Sequence, residues 1–547
     1  MVFNLIDNPW IPCKFVDGAK TLISLQELFN NAGKIEDLDS DNPLVNGSLF
    51  RLLIAIIHRA VNGPVDIAAW KNLWVNAEFP PEILLLINSY LKKWHDRFFV
   101  FHKEYPFYQI PDLNEAKATT IAILAPQLAS GANATLFNHC VDQYPMKISF
   151  DKAIRWVVAI QNFALGGLNT PYDSIRITKT NKSATGAPLA QAALVIITGR
   201  TLYKTLLLNL HQYNPFKNIP YKVSGDDKPI WERNSYTLPE ERMPNGLVDW
   251  LTYQPRAIKL VHENGEKYIT KAILMVGEKL PKTEHRKNFE TMIGFKKNLK
   301  TKAKEPFSAI NFTSQKAVWR DINVLLQTTE DRIRPKTMDW ISDLIFYKII
   351  NLEYFPLQLF GAISSQASFL QFKYESLPFN SQRLHDNKFM NNLNENLKYV
   401  EEVGKTIWAV VRVFFIIRIP DIYQKLKSFL KTETFVQIAQ RIKNSKTFSD
   451  FWNVKLKKND KKKLKQKIDD SYIVANFWNQ AEIIFQEFLL HNLNDPNSLD
   501  LIIWEEKYKQ AGINILRSYF NLNNLDAQSL KAGTIAIKTY YMRLKND

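Results

Sequence analysis

Only two cysteines, Cys13 and Cys140, occur in the 547 residues, far apart and without a CxxC spacing. That scarcity argues against a disulfide-stapled scaffold and predicts a reducing, cytoplasmic compartment. The opening MVFNLIDNPW carries Asp7 and Pro9 and has no basic stretch, so no signal peptide is expected. The longest candidate for a membrane span, IWAVVRVFFIIRI, is too short and is interrupted by Arg412 and Arg418, so none is predicted. There is no GxxxxGK[ST] phosphate loop, no GxGxxG after a strand and no GxSxG elbow. The nine histidines are scattered, with no HExxH or HxxxH pair to seat a metal. Two His-Asp dipeptides, His95-Asp96 and His385-Asp386, admit two readings: the start of a metal-dependent phosphohydrolase site, or surface and helix-capping residues. Further ligands near them are not evident, so neither an enzyme activity nor a cofactor is expected.

What is abundant is positive charge. Lys and Arg number 71 against 54 Asp and Glu, a formal net charge of +17. Such a balance favours a polyanion partner such as nucleic acid, with a merely solubilising lysine bias as the alternative. In VKLKKNDKKKLKQK eight lysines fall between Lys455 and Lys467, in the connection between two helical stretches. The block is either a solvated face or a phosphate-tracking patch, with Lys461, Lys462 and Lys463 at its centre.

At this length two or three domains are expected. The first 110 residues mix an irregular strand and turn, NLIDNPWIPCKF, with a helix whose Leu49, Leu52, Leu53, Ile56 and Ile57 share a face. Between about 110 and 190 the pattern loosens into long loops, among them QLASGANATLFNHCVDQYP and TPYDSIRITKTNKSATGAP. Strand-like runs follow: AALVIITG, AIKLVH and YITKAILMVG, the last two joined through Glu263-Asn264-Gly265 as a hairpin turn. After residue 380 four long amphipathic helical patterns dominate, the minimum for an antiparallel bundle. The fold class is therefore α+β: a mixed α/β N-terminal domain over residues 1–384 and an all-α four-helix bundle over 385–547.

Two small-residue islands stand out. SSQAS, Ser364 to Ser368, is either a serine-capped helix start or a thin finger entering a space too tight for bulky neighbours. In ITKTNKSATGAP, Lys179 and Lys182 flank small residues ending at Gly186, where a bare backbone could approach a groove floor.

Taken in order, these pieces resemble the large subunit of the type I-E CRISPR surveillance complex Cascade, the CasA family. NLIDNPWIP, FHKEYPFYQ, SGANATLFNH, TGAPLAQAALV and SSQASFL are each similar to a family segment, and their order and spacing make the match specific. The resemblance implies a subunit that recognises a short protospacer-adjacent motif in double-stranded DNA from the minor groove and starts strand separation. Gly186, with Thr185 and Ala187, falls on the family's motif-facing glycine loop. Gln366, with Ser365 and Ala367, falls on its duplex wedge. Phe137, Asn138 and His139 fall on the loop that reaches the 5′ handle of the CRISPR RNA and neighbouring subunits. A motif-reading lysine corresponds to Lys271 or Lys279. Some members bind zinc through paired CxxC motifs where this chain has HENGEKY, so no metal is expected. The implied partners are target DNA, the guide RNA, the backbone and small subunits, and a recruited helicase–nuclease. A divergent nuclease and a purely architectural subunit are the alternatives.

Overall fold

The computed structural model describes residues 3–125, 146–168, 183–221, 223–234, 241–262, 265–281, 284–298, 306–313, 316–351, 354–365, 368–431, 456–522 and 526–544. The chain divides into two compact units, Met1–Leu384 and His385–Asp547.

The first unit is built on small antiparallel sheets packed against helices. Its N-terminal strand Ile11–Phe15 pairs with both Lys20–Ile23 and Ile35–Leu38. The helix Pro43–Val61 then runs through the core. Asn42 caps its start by accepting a hydrogen bond from the Leu44 N–H at 2.9 Å, and Pro43 opens it where no N–H is needed. Length and composition alone would let this helix, rather than IWAVVRVFFIIRI, cross a membrane. However, 78% of its apolar window is buried inside the fold. Apolar residues cover nearly its whole circumference because it packs on several sides at once.

Mid-helix Arg51 would be costly in such a core if alone. Its Nη1 donates to both carboxylate oxygens of Glu290 at 2.9 Å, and Glu290 also accepts from the Trp250 indole N–H at 2.9 Å. Both charged side chains are fully buried.

The looser stretch after residue 110 contains more order than its composition suggests: Phe150–Phe163 is a 14-residue helix. Strands Arg256–Val261 and Lys271–Val276 pair antiparallel from Val261↔Lys271 to Arg256↔Val276. Glu263 and Asn264 lie outside the described residues, and Gly265 takes a φ of +91°, the turn conformation that glycine tolerates best.

The longest strands form a hairpin, Tyr354–Ser365 with Ser368–Asn380. Strand Ala193–Ile197 joins it along Tyr354–Ser365, in register from Leu357↔Ile197 to Gly361↔Ala193. Ala362–Ser365 and Ser368–Phe372 therefore continue past the third strand as a two-stranded ribbon ending at the Ser365↔Ser368 pair. Ser364, Ser365 and Ser368 of the SSQAS island are thus strand residues and not a helix start, because ladder pairing claims the backbone groups that a helix would use; Gln366 and Ala367 lie outside the described residues.

The second unit is helical. Asn387–Arg418, Ile473–Asn494, Leu501–Leu522 and Ala527–Leu544 form the bundle, accompanied by the shorter helices Pro420–Leu430 and Lys458–Asp470. Buried amides fix its register. Asn392 Nδ2 donates to Asn492 Oδ1 at 3.1 Å and to Pro496 O at 2.8 Å, while the Tyr508 hydroxyl donates to Asn396 Oδ1 at 3.1 Å. These bonds are available in one helical alignment only, which gives specificity beyond apolar packing.

Removing one partner of the Arg51–Glu290 pair leaves a buried charge unpaired. Glu290→Gln is expected to lower unfolding stability by about 3 kcal/mol, measured by denaturant titration, and Arg51→Met with Glu290→Leu should recover most of it. Burial also disfavours protonation of His58 and His211, bringing their pKa values down to about 4 and about 3, with His58 and Lys336 adding to the effect at His211. Below the ordinary imidazole value of 6.5 the unfolded chain binds protons that the folded chain refuses. Stability should therefore fall as pH drops from about 6.5 towards 4, by up to about 1.4 kcal/mol per pH unit per histidine. Denaturant midpoints at successive pH values check this, and His211→Gln should flatten the slope.

Candidate nucleic-acid interface

The chain enters strand Ala193–Ile197 from the segment holding Gly186. Because that strand runs antiparallel to Tyr354–Ser365, stepping back from Ala193 means stepping forward from Gly361 towards the hairpin tip. The two small-residue islands are thereby brought to one end of one sheet. Gln191, in a left-handed conformation at φ +52°, closes the approach: its Nε2 donates to Ser364 Oγ at 3.2 Å.

The Gly186 loop is rigid for identifiable reasons. Strand Gly167–Leu168 pairs with Ser183–Ala184. The Ala187 N–H donates to Ala164 O at 2.9 Å and the Leu189 N–H to Asn162 O at 2.8 Å. These acceptors are carbonyls at the end of helix Phe150–Phe163, which lack partners within the helix. The loop thus caps the helix that supports it. Gly166 lies against it so closely that a Cβ at that position would sit 3.0 Å from the Gly186 amide nitrogen and 3.3 Å from Ala184 O.

Two arginines hold the loop's carbonyls from within. Arg256, 1% exposed, donates through Nη1 to Thr185 O at 3.0 Å and to Pro255 O at 2.8 Å, and through Nη2 to Leu165 O at 2.5 Å. Burial pulls its pKa down to about 10, which leaves it cationic at neutral pH. Gln161 brackets the Arg256 backbone, accepting from its N–H at 3.1 Å and donating to its carbonyl at 2.9 Å. Arg286 Nη1 donates to Pro188 O at 3.2 Å and Ala190 O at 2.6 Å. With these carbonyls bonded, the exposed residues of the segment among those described are Ser183, Gly186 and Gln191, and Gly186 presents bare backbone.

The sequence-derived candidates separate accordingly. Gly186 is exposed and Thr185 half-buried. Ala187 is completely buried, so its side chain offers nothing to a ligand and serves packing. Ser365 is the last residue of its strand at the hairpin tip. Gln366, Ala367, Phe137, Asn138, His139, Lys179 and Lys182 lie outside the described residues. Lys271 is exposed, but it sits five steps along its strand from Val276, the partner of Arg256, or about 17 Å at the usual strand rise. Lys279 follows Val276 closely in sequence, yet its side chain is 92% buried. The two lysines are therefore not equivalent: one is accessible and distant, the other close and enclosed.

The lysine block is more ordered than a simple connection. Lys458–Asp470 is a helix anchored by buried Leu464 and Ile468, and Asp460 accepts from Lys425 Nζ at 2.9 Å. Lys462 and Lys463 face solvent and Lys461 is half-buried. Of the His-Asp dipeptides, Asp386 is an N-cap, accepting from the Phe389 N–H at 3.0 Å, and His95 Nε2 bonds Asp7 Oδ2 at 2.7 Å. No group of three or more His, Cys, Asp or Glu with metal-binding geometry occurs among the described residues.

Gln191, Gly166, Arg256, Arg286 and Gln161 all escape a sequence reading. The Gly166-Gly167 doublet was the one local sign of a close backbone approach; the others act through partners distant in sequence.

The family model for CRISPR-associated protein Cse1 matches residues 4–515. A CRISPR-associated protein CasA/Cse1 from Thermus thermophilus is 31% identical over 415 residues, covering 74% of this chain and 76% of the relative. A crystal structure of CasA from Thermus thermophilus superposes with a TM-score of 0.76 at 23% identity, covering all of both chains. A chain from a structure described as a CRISPR RNA-guided surveillance complex superposes with a TM-score of 0.71 at 16% identity, covering 99% of each. The chain therefore belongs to the CRISPR-associated Cse1/CasA family, the large-subunit family of the Cascade surveillance complex.

Proposed function

We propose that this chain recognises a protospacer-adjacent motif in double-stranded DNA from the minor groove and opens the neighbouring base pairs so that a guide RNA can pair with one strand. The observation that carries the reading is the meeting of the Gly186 loop and the hairpin tip at one end of one sheet, closed by the Gln191–Ser364 bond. A bare backbone suits the narrow minor groove, whose donor and acceptor pattern is degenerate. Such a reader tolerates several motifs and leaves sequence fidelity to guide pairing, as in other RNA-guided recognition. Beyond Gly361 the hairpin keeps Ala362, Ile363 and Phe369 buried against its own unit, while Leu370 and Gln371 near its end are exposed. Gln366, between the two strands in sequence, offers an amide to exposed base edges, offsetting the few kcal/mol that unstacking costs.

In this reading Phe137, Asn138 and His139 contact the 5′ handle of the CRISPR RNA and adjacent subunits, and Lys179 and Lys182 meet DNA phosphates. Lys271, exposed on its strand, is the better placed of the two motif-reading candidates for solvent access, and Lys279 for proximity to the loop. The chain acts in the cytoplasm as a non-catalytic component of a larger complex, and a separate helicase–nuclease cuts the DNA. Its likeness to a chain of a CRISPR RNA-guided surveillance complex supports assembly with other subunits.

Gln366→Ala is expected to leave the complex assembled while weakening strand opening on linear duplex; normal permanganate reactivity next to the motif would end the wedge role. Gly186→Asp adds bulk and negative charge at the groove and should abolish motif preference in gel shifts. Replacing Lys461, Lys462 and Lys463 with Gln should reduce the log–log salt slope of non-specific DNA binding by roughly one phosphate contact per engaged lysine. An unchanged slope would assign the block to solvent.

A further inference from the structure

We infer that Arg256 is the positioning residue of the glycine loop, holding it in the one shape that discriminates motif from non-motif DNA. This inference rests on the loop being the motif reader. Every hydrogen-bond partner of the Arg256 guanidinium among the described residues is a backbone carbonyl, at Leu165, Thr185 and Pro255. Two of these immediately precede the glycines that meet, Gly166 and Gly186. The side chain therefore ties the two limbs of the loop together at the point of closest backbone approach, where a Cβ on Gly166 would lie 3.0 Å from the Gly186 amide nitrogen.

The arrangement is unlike the other large buried arginine of this unit. Arg51 is neutralised by Glu290, whereas the partners of Arg256 among the described residues are carbonyl dipoles. A buried cation without a carboxylate is a poor device for stability alone, because desolvation opposes it and carbonyls compensate only in part. It is a good device for fixing geometry: a planar fork satisfies carbonyls in set directions and leaves them unpaired if the loop moves. Gln161 locks the Arg256 backbone to helix Phe150–Phe163, and the loop's Ala187 and Leu189 amides bond the end of that helix. Arg256, the helix end and the loop form one closed circuit, so a backbone reader that cannot adapt a side chain to its target keeps a defined surface.

The test uses the full chain in its assembled complex, with one duplex carrying a motif selected from randomised flanks and one carrying a scrambled flank. Arg256→Met should lower the ratio of the two affinities about tenfold, the order of one lost base-pair discrimination. Binding to the scrambled duplex should stay within about twofold, since phosphate contacts set it. Hydrogen exchange at the Ala187 and Leu189 amides should quicken, and Arg256→Lys should fall between Arg256→Met and wild type on both measures. A folded Arg256→Met complex with the wild-type affinity ratio overturns the role. If Arg256→Met does not fold, Arg256→Lys decides: a reduced ratio at unchanged melting temperature supports the role, and a wild-type ratio overturns it. Gly186→Asp, run in parallel, separates the two levels. If it leaves the ratio intact, the loop is not the reader and the inference falls with it; if it abolishes the ratio while Arg256→Met does not, only the positioning role is lost.

Discussion

The register that sets Leu357 against Ile197 and Gly361 against Ala193 governs the arrangement of the first unit. An antiparallel ladder converts a long sequence separation into a fixed spatial relation, since each step along one strand is matched by a step back along the other. It delivers the Gly186 segment to the side of the hairpin tip, and it ends at Gly361, short of the last pair of the hairpin. A slip by one residue would turn every hairpin side chain to the opposite face, moving Phe355 to the side where Tyr354 and Pro356 are exposed. The apolar core of the unit therefore secures the alignment on which the candidate site depends.

Charge is handled differently in different places, and net charge alone conceals this. Arg51 pairs with Glu290 in the core. Arg233 and Arg242 share Asp249 and Glu278, with Arg242 Nη1 2.6 Å from Asp249 Oδ2 and Arg242 Nη2 2.7 Å from Glu278 Oε2. Arg256 and Arg286 bond backbone carbonyls of the Gly186 loop instead. Several of the positive charges in the total are thus committed to holding backbone in place. The charges available to a polyanion are the exposed ones, such as Lys462 and Lys463 on a helix anchored by Leu464 and Ile468.

Much of the architecture was legible from pattern. The bundle helices declared themselves through long amphipathic periodicity, because a helix buried on one face must repeat its apolar residues near 3.6. The strands Ala193–Ile197, Arg256–Val261 and Lys271–Val276 were visible as β-branched runs. The hairpin Tyr354–Asn380 was harder to see. Its apolar and polar residues alternate poorly, since Gln358 faces a buried environment while Leu370 and Tyr374 are exposed. Helix Phe150–Phe163 was hidden among loop-like neighbours, and the lysine block gave no hint of a helix because only Leu464 and Ile468 anchor it.

The sequence by itself determined the α+β class, the helical C-terminal unit, the basic character and, through the resemblance of five segments in order, the family. The first three are written in local composition or periodicity, which short-range sterics and solvent preference translate directly; the family rests on the resemblance of the ordered segments. Only the tertiary structure decided that the Gly186 loop and the hairpin tip are neighbours, that Ala187 is packing and Lys279 enclosed, and that Arg256 and Gln161 brace the loop. Those facts depend on strand register and on hydrogen bonds between groups as many as 173 residues apart, as with Gln191 and Ser364. No local pattern encodes them, because the energy that selects one register is shared across the whole buried face.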